Sequence, residues 1–212
     1  MNLPVLIALV AVASVGPGLL ALRRWDWDPL EKLCAALGLS FLMLFLWAWL
    51  GALIGFLPLF AALWSLAAVV MTVIARNELA GLWRDRGVRR AVPAWAGLLV
   101  WSLALQALLR HYGGADWSGD WYEHYQRAVY FTLWPFDTTF EFIELYLLPA
   151  RPPLMNVISA SVIAQIGSAF SDFQVMMTFL NSLIYFPLLA LAGIVGRRNR
   201  YTPWILAFVL AL

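Results

Sequence analysis

Residues 35–75 read AALGLSFLMLFLWAWLGALIGFLPLFAALWSLAAVVMTVIA, a run without a single Asp, Glu, Lys or Arg. The hydrocarbon core of a bilayer is crossed by about 20 apolar helical residues, so this run is too long for one crossing. Gly55 and Pro58 stand near its middle and predict two helices joined by a tight turn. Working outward, further apolar segments occupy 3–22, 92–110 and 173–196, and another starts near Tyr201. The pattern predicts an all-α, polytopic membrane protein with about six spans. Composition agrees: 63% of the 212 residues are hydrophobic and 12% are charged, against about 25% charged in soluble domains.

The first apolar segment is followed, not preceded, by Arg23 and Arg24. A secretory signal has its positive charge first and a small-residue cleavage site after its apolar core, so 3–22 reads as a retained helix. Cys34 is the one cysteine, which rules out an intrachain disulfide. The segment from Tyr201 reaches Leu212 after some twelve residues, too few to cross a bilayer. The sequence therefore reads as the N-terminal part of something longer, with membrane helices over 1–91 and a second module beginning at 92.

Orientation follows from Lys and Arg in short loops. Residues 76–90 hold Arg76, Arg84, Arg86, Arg89 and Arg90 against Glu78 and Asp85, and Arg197, Arg198 and Arg200 form a second basic cluster. Both are expected on the cytoplasmic side. Residues 111–151 carry six acids and only Arg127 and Arg151, so an external loop is expected over 111–172. These assignments agree only if 153–170 does not cross. Ser161, Gln165, Ser168 and Asp172 fall on one helical stripe, with Leu154, Ile158, Val162, Ile166 and Ala169 opposite, which predicts an amphipathic helix lying at the membrane interface.

The stretch 111–154, HYGGADWSGDWYEHYQRAVYFTLWPFDTTFEFIELYLLPARPPL, holds the chemistry. Gly113, Gly114, Ser118 and Gly119 predict a flexible turn region carrying Asp116 and Asp120. Helical periodicity starts near Trp121 and stops at Pro135. Thr138 with Glu141 predicts a capping box for a second short helix, ended by Pro149, and Pro152 and Pro153 suit the first turn of a third. Trp117, Trp121, Tyr122, Tyr125, Tyr130 and Trp134 fit an interfacial aromatic belt.

An acid in the first large outer loop, an aromatic amphipathic helix beside it and a Pro-Pro-Leu opening another helix resemble GT-C-type glycosyltransferases. Within these the chain is most similar to the family of protein mannosyltransferases and lipid A aminoarabinose transferases. The residues that carry the resemblance are Asp120, His124 with Tyr125, and Arg151-Pro152-Pro153-Leu154, within about 92–200. Trp121 follows Asp120 where the family often has Glu, which leaves the catalytic acid open between Asp120 and Asp116. The resemblance implies transfer of a sugar from a polyprenyl-phosphate donor to a lipid, glycan or protein acceptor. It places the site outside a bacterial cytoplasmic membrane, among membrane lipids and with no nucleic acid as partner, and this piece alone is expected to be inactive.

A carboxylate at Asp120 or Asp116 can deprotonate the attacking hydroxyl. His124, Glu123, Arg127 and Arg151 are the candidate substrate-binding residues, because a guanidinium holds a phosphate bidentately. A divalent ion on carboxylate oxygens could serve the same purpose, although no ligand spacing in the sequence is diagnostic. Two other classes fit the composition: a transporter or flippase component, and a non-catalytic membrane assembly protein. The absence of charge within the apolar spans argues against transport.

Overall fold

The computed structural model describes residues 3–108, 115–133, 141–142, 146–147, 153–195 and 199–211. Apart from one two-residue ladder, its elements are all helices. In chain order these are α1 (Leu3–Ala21), α2 (Pro29–Leu53), α3 (Leu57–Ile74), α4 (Arg76–Arg84), α5 (Arg86–Leu108) and α6 (Ala115–Tyr130). The ladder β1 (Glu141–Phe142) and β2 (Tyr146–Leu147) follows, then α7 (Leu154–Ile166), α8 (Phe170–Ser182), α9 (Tyr185–Val195) and α10 (Thr202–Ala211). Among the described residues, four stretches are long and apolar enough to cross a membrane: Pro29–Leu53, Leu57–Ile74, Arg86–Leu108 and Phe170–Val195. Their outward faces expose large apolar side chains such as Leu46, Leu66, Val70, Val73 and Trp101, a pattern that water would oppose and lipid accepts. The fold is that of an integral membrane protein.

The chain divides into two compact units, one of residues 1–13, 41–68 and 111–176, the other of 14–40, 69–110 and 177–212. In the first, the turn expected near Gly55 is present. Gly55 has φ 78°, a left-handed conformation that glycine adopts without a Cβ penalty, and the Phe56 N–H closes the turn on the Gly51 carbonyl at 2.8 Å. Gly51 and Gly55 have the spacing of a helix-packing pair, but only Gly51 packs. A Cβ on Gly51 would lie 2.5 Å from that of Phe60, and Trp47 stacks at 4.7 Å on Phe60 while donating its indole N–H to the Phe60 carbonyl.

The second unit is cored by Leu19, Leu33, Leu37, Leu98, Tyr185 and Leu189 among others. Here α1 meets α2 at its closest approach. Pro17 has no N–H and breaks the regular helical ladder, and the N–H of Gly18 bonds instead to Ser40 Oγ at 2.8 Å, buried. A Cβ built on Gly18 would fall on the Ala36 backbone carbonyl. Gly18→Ala is therefore expected to destabilise by about 3 kcal/mol, the upper part of the overpacking range, because backbone cannot swing aside. Gly38→Ala, with nothing within 4 Å of the new methyl, should gain about 0.5–1 kcal/mol from helix propensity. Thermal melts of the two purified variants in one detergent check the contrast.

Several expectations are corrected. The basic stretch 76–90 is mostly helical rather than a loop, with the Asp85 carboxylate accepting from the Val88 N–H at 2.9 Å to start α5. The 173–196 span lies within the apolar stretch Phe170–Val195, but its helix is interrupted at 183–184, where the Leu183, Ile184 and Phe186 N–H groups bond carbonyls three residues back and not the four of a regular α-helix. Pro187 explains this, since its ring crowds the carbonyl four residues earlier. A second short helix was expected between Thr138 and Pro149, but Glu141 pairs with Leu147 and Phe142 with Tyr146 in an antiparallel ladder. The aromatic pair Phe142 and Tyr146, directly opposite each other, favours that pairing.

The amphipathic helix expected over 153–170 is also corrected. α7 ends at Ile166, and Gly167 takes φ 106°. Residues Asn156 through Ile163 are all buried, so the expected two faces are not distinct there: Ser161 of the polar stripe is as buried as Ile158 and Val162, while Ser168 is exposed. Thirteen residues span only about 20 Å. The basic residues Arg197 and Arg198, the Thr138 capping position and the glycines 113–114 lie outside the described residues.

Candidate functional site

α6 begins at Ala115, six residues before its expected start, so Asp116 and Asp120 stand in its first two turns rather than in a flexible loop. Their side chains lie outside the described residues. Helical register alone places positions 116, 120, 123 and 127 on one face, because they are three or four residues apart. His124 stands one position to the side.

Further along that face, Glu123 and Arg127 are 0% and 1% exposed, and the Arg127 Nε donates to Glu123 Oε1 at 2.5 Å. The sequence offered both as substrate-binding residues. The structure instead buries them as a pair beneath α7, the helix α6 packs against most closely. A guanidinium bonded to a carboxylate at full burial is in place to fix a helix and is shielded from a phosphate arriving from outside.

α7 supplies the opposing polar groups. Asn156 is buried, and its side-chain amide is in hydrogen-bond contact with His124, Oδ1 to Nδ1 at 3.2 Å. Ser161 is buried because its hydroxyl donates to the Ile158 carbonyl of its own helix at 2.7 Å. Gln165 donates to the Ser161 carbonyl and accepts from Ser65 Oγ, each at 2.9 Å.

The connection to α8 closes the cluster with aromatic rings. Tyr125 donates its hydroxyl to the Ser168 carbonyl at 2.5 Å and packs edge-on against Phe170 and Phe173, with Tyr122 at 5.7 Å. Burial, and secondarily the neighbouring Tyr122, push the Tyr125 phenol above its ordinary value, so it remains a donor. Asp172, in the first turn of α8, is 3% exposed, and its Oδ1 has no hydrogen-bond partner among the described residues.

Arg151 lies outside the described residues. No group of three or more His, Cys, Asp or Glu side chains among the described residues comes together as a metal site. The one acid on the described part of the α6 face, Glu123, is already bonded to a cation. The sequence reading missed Asn156, whose only signal is an amide within the apolar run after Pro-Pro-Leu. Comparison with protein-family models, curated proteins and solved structures finds no match.

Proposed function

We propose that this chain is part of a membrane glycosyltransferase that moves a sugar from a polyprenyl-phosphate donor to an acceptor outside the cytoplasm, in a bacterial cytoplasmic membrane. The observation that carries the reading is the α6 register. It brings Asp116 and Asp120, at positions where the resembled family keeps its essential acid, onto one face with an ion pair that anchors the helix. A base on a rigid element is held more precisely than one on a mobile loop.

In this reading the acceptor hydroxyl attacks the anomeric carbon, and its proton passes to Asp120. The bond from that carbon to the phosphate oxygen breaks, and its electron pair leaves with the polyprenyl phosphate, inverting the configuration. His124 is a substrate-binding residue beside the base, and Arg151 holds the leaving phosphate. Glu123 and Arg127 act as positioning residues.

Reconstituted in proteoliposomes, the complete protein should consume at least one member of a radiolabelled panel of polyprenyl-phosphate hexoses and pentoses, releasing polyprenyl phosphate. Donors that bind nowhere and stay intact across the panel would end the proposal. A transporter or flippase is the second reading, favoured by the buried Asp172 at the start of the apolar 170–195 stretch, since ionisable groups within membrane helices mark transport pathways. Movement of an intact lipid-linked sugar between leaflets in the same vesicles would select it.

A further inference from the structure

We propose that α4 and the first turns of α5 form a binding surface for anionic phospholipid headgroups. The inward side of α4 is fixed by Leu82, which is buried, and by Glu78, whose carboxylate bonds the Lys32 ammonium of α2 at 3.0 Å. Register then turns Arg76, Leu79 and Trp83 outward, and Leu79 and Trp83 are 42% and 52% exposed. A helix facing water gains nothing from an outward Leu and Trp, and one facing hydrocarbon would not carry arginines. The boundary between the two suits both sets of residues. Chain continuity puts α4 there, because it begins two residues after α3 ends in the exposed apolar pair Val73 and Ile74.

Charge selects the kind of headgroup. Arg76, Arg84, Arg86, Arg89 and Arg90 are all exposed, and none has a salt bridge among the described residues. The nearby acids are engaged, Glu78 on Lys32 and Asp85 on the Val88 N–H. Three of these arginines stand in the first turns of α5, at the positive end of the helix dipole, where cations are disfavoured. A phosphodiester relieves that repulsion and matches the guanidinium fork. A zwitterionic headgroup supplies its phosphate with a compensating cation and lacks the net charge.

The test titrates the purified protein in neutral detergent with pyrene-labelled phosphatidylglycerol, read by energy transfer from tryptophan. Unlabelled phosphatidylglycerol should displace the probe, and equal phosphatidylcholine should not. An anionic surface attracts each arginine by an amount corresponding to about fivefold in affinity, so Arg76→Gln with Arg84→Gln should weaken binding by about 25-fold. Leu79→Gln with Trp83→Gln should weaken it too, because the helix no longer immerses. Competition by phosphatidylcholine as strong as by phosphatidylglycerol overturns the proposal, as does unchanged affinity in the arginine variant. Displacement by millimolar inorganic phosphate also overturns it, since that marks a small-anion site and not a lipid surface.

Discussion

Asp120→Asn is expected to lower sugar transfer by at least about 100-fold with expression and helicity unchanged, the lower end of what a general base supplies. The substitution keeps the side chain's shape and removes its charge and basicity. A factor of 100 corresponds to about 2.7 kcal/mol of transition-state stabilisation, more than a repacked surface residue loses. Asp120 stands one turn before His124 and three residues before the buried Glu123, close to where α6 is held against α7. Asp116 is a full turn further out, toward the start of the helix, so Asp116→Asn should cost less than about tenfold. The measurement is initial transfer rate at saturating donor, with donor binding followed separately. If Asp116→Asn abolishes transfer and Asp120→Asn does not, the base is one turn further out. Activity retained in both single variants and in the double would remove the catalytic reading of this face.

Much of the membrane architecture was legible because hydrocarbon imposes a simple rule on sequence, a length of apolar residues per crossing. The 35–75 run folds as two helices about Gly55 for the reason its residues give. The 170–195 stretch was legible as apolar, and its break at 183–184 could have been read from Pro187. The start of α6 was not legible. Ser118 and Gly119 carry turn propensity, and packing of α6 on α7 outweighs the local cost of about 1 kcal/mol for the one glycine within the helix.

The same difficulty hid the polar core of the first unit. Serine reads as a surface marker, but Ser161 satisfies its own hydroxyl on the Ile158 carbonyl and can be buried without a distant partner. A Ser-Gln-Ser-Asp stripe therefore reads as the polar face of an interfacial helix. The Glu123–Arg127 spacing was visible as an i,i+4 pair, which on a lone helix faces water. Nothing in α6 itself announces that α7 covers it. That information lies in Asn156 and the small residues of α7, thirty positions on, and becomes readable only when the two helices are placed together. Asp172 likewise is an ionisable group buried at the start of the apolar 170–195 stretch, which an apolar-run count does not detect.

Breaking the Glu123–Arg127 pair should produce the largest loss of stability in the chain. Removing one partner takes from the other its ion-pair charge where exposure is 0–1%, and such losses run to about 3–5 kcal/mol. Glu123→Ala or Arg127→Met should lower the melting temperature in detergent by on the order of 10 °C, using the usual scaling for a chain of this size. Removing both is different in kind. Two desolvated ions are costly even when paired, and apolar residues of similar volume often replace them at no loss. Glu123→Leu with Arg127→Met should therefore recover most of what either single change removes. Four melts, of the wild type, both singles and the double, give the coupling directly. Additive losses in the double would mean the two side chains stabilise α6 through separate contacts and not through each other. The double variant also separates position from chemistry under the proposed function. If it melts near the wild type and still transfers sugar, the pair serves only to seat α6 against α7. If it melts normally and transfer is lost, the guanidinium or the carboxylate reaches the reacting groups, and α6 must move to expose it.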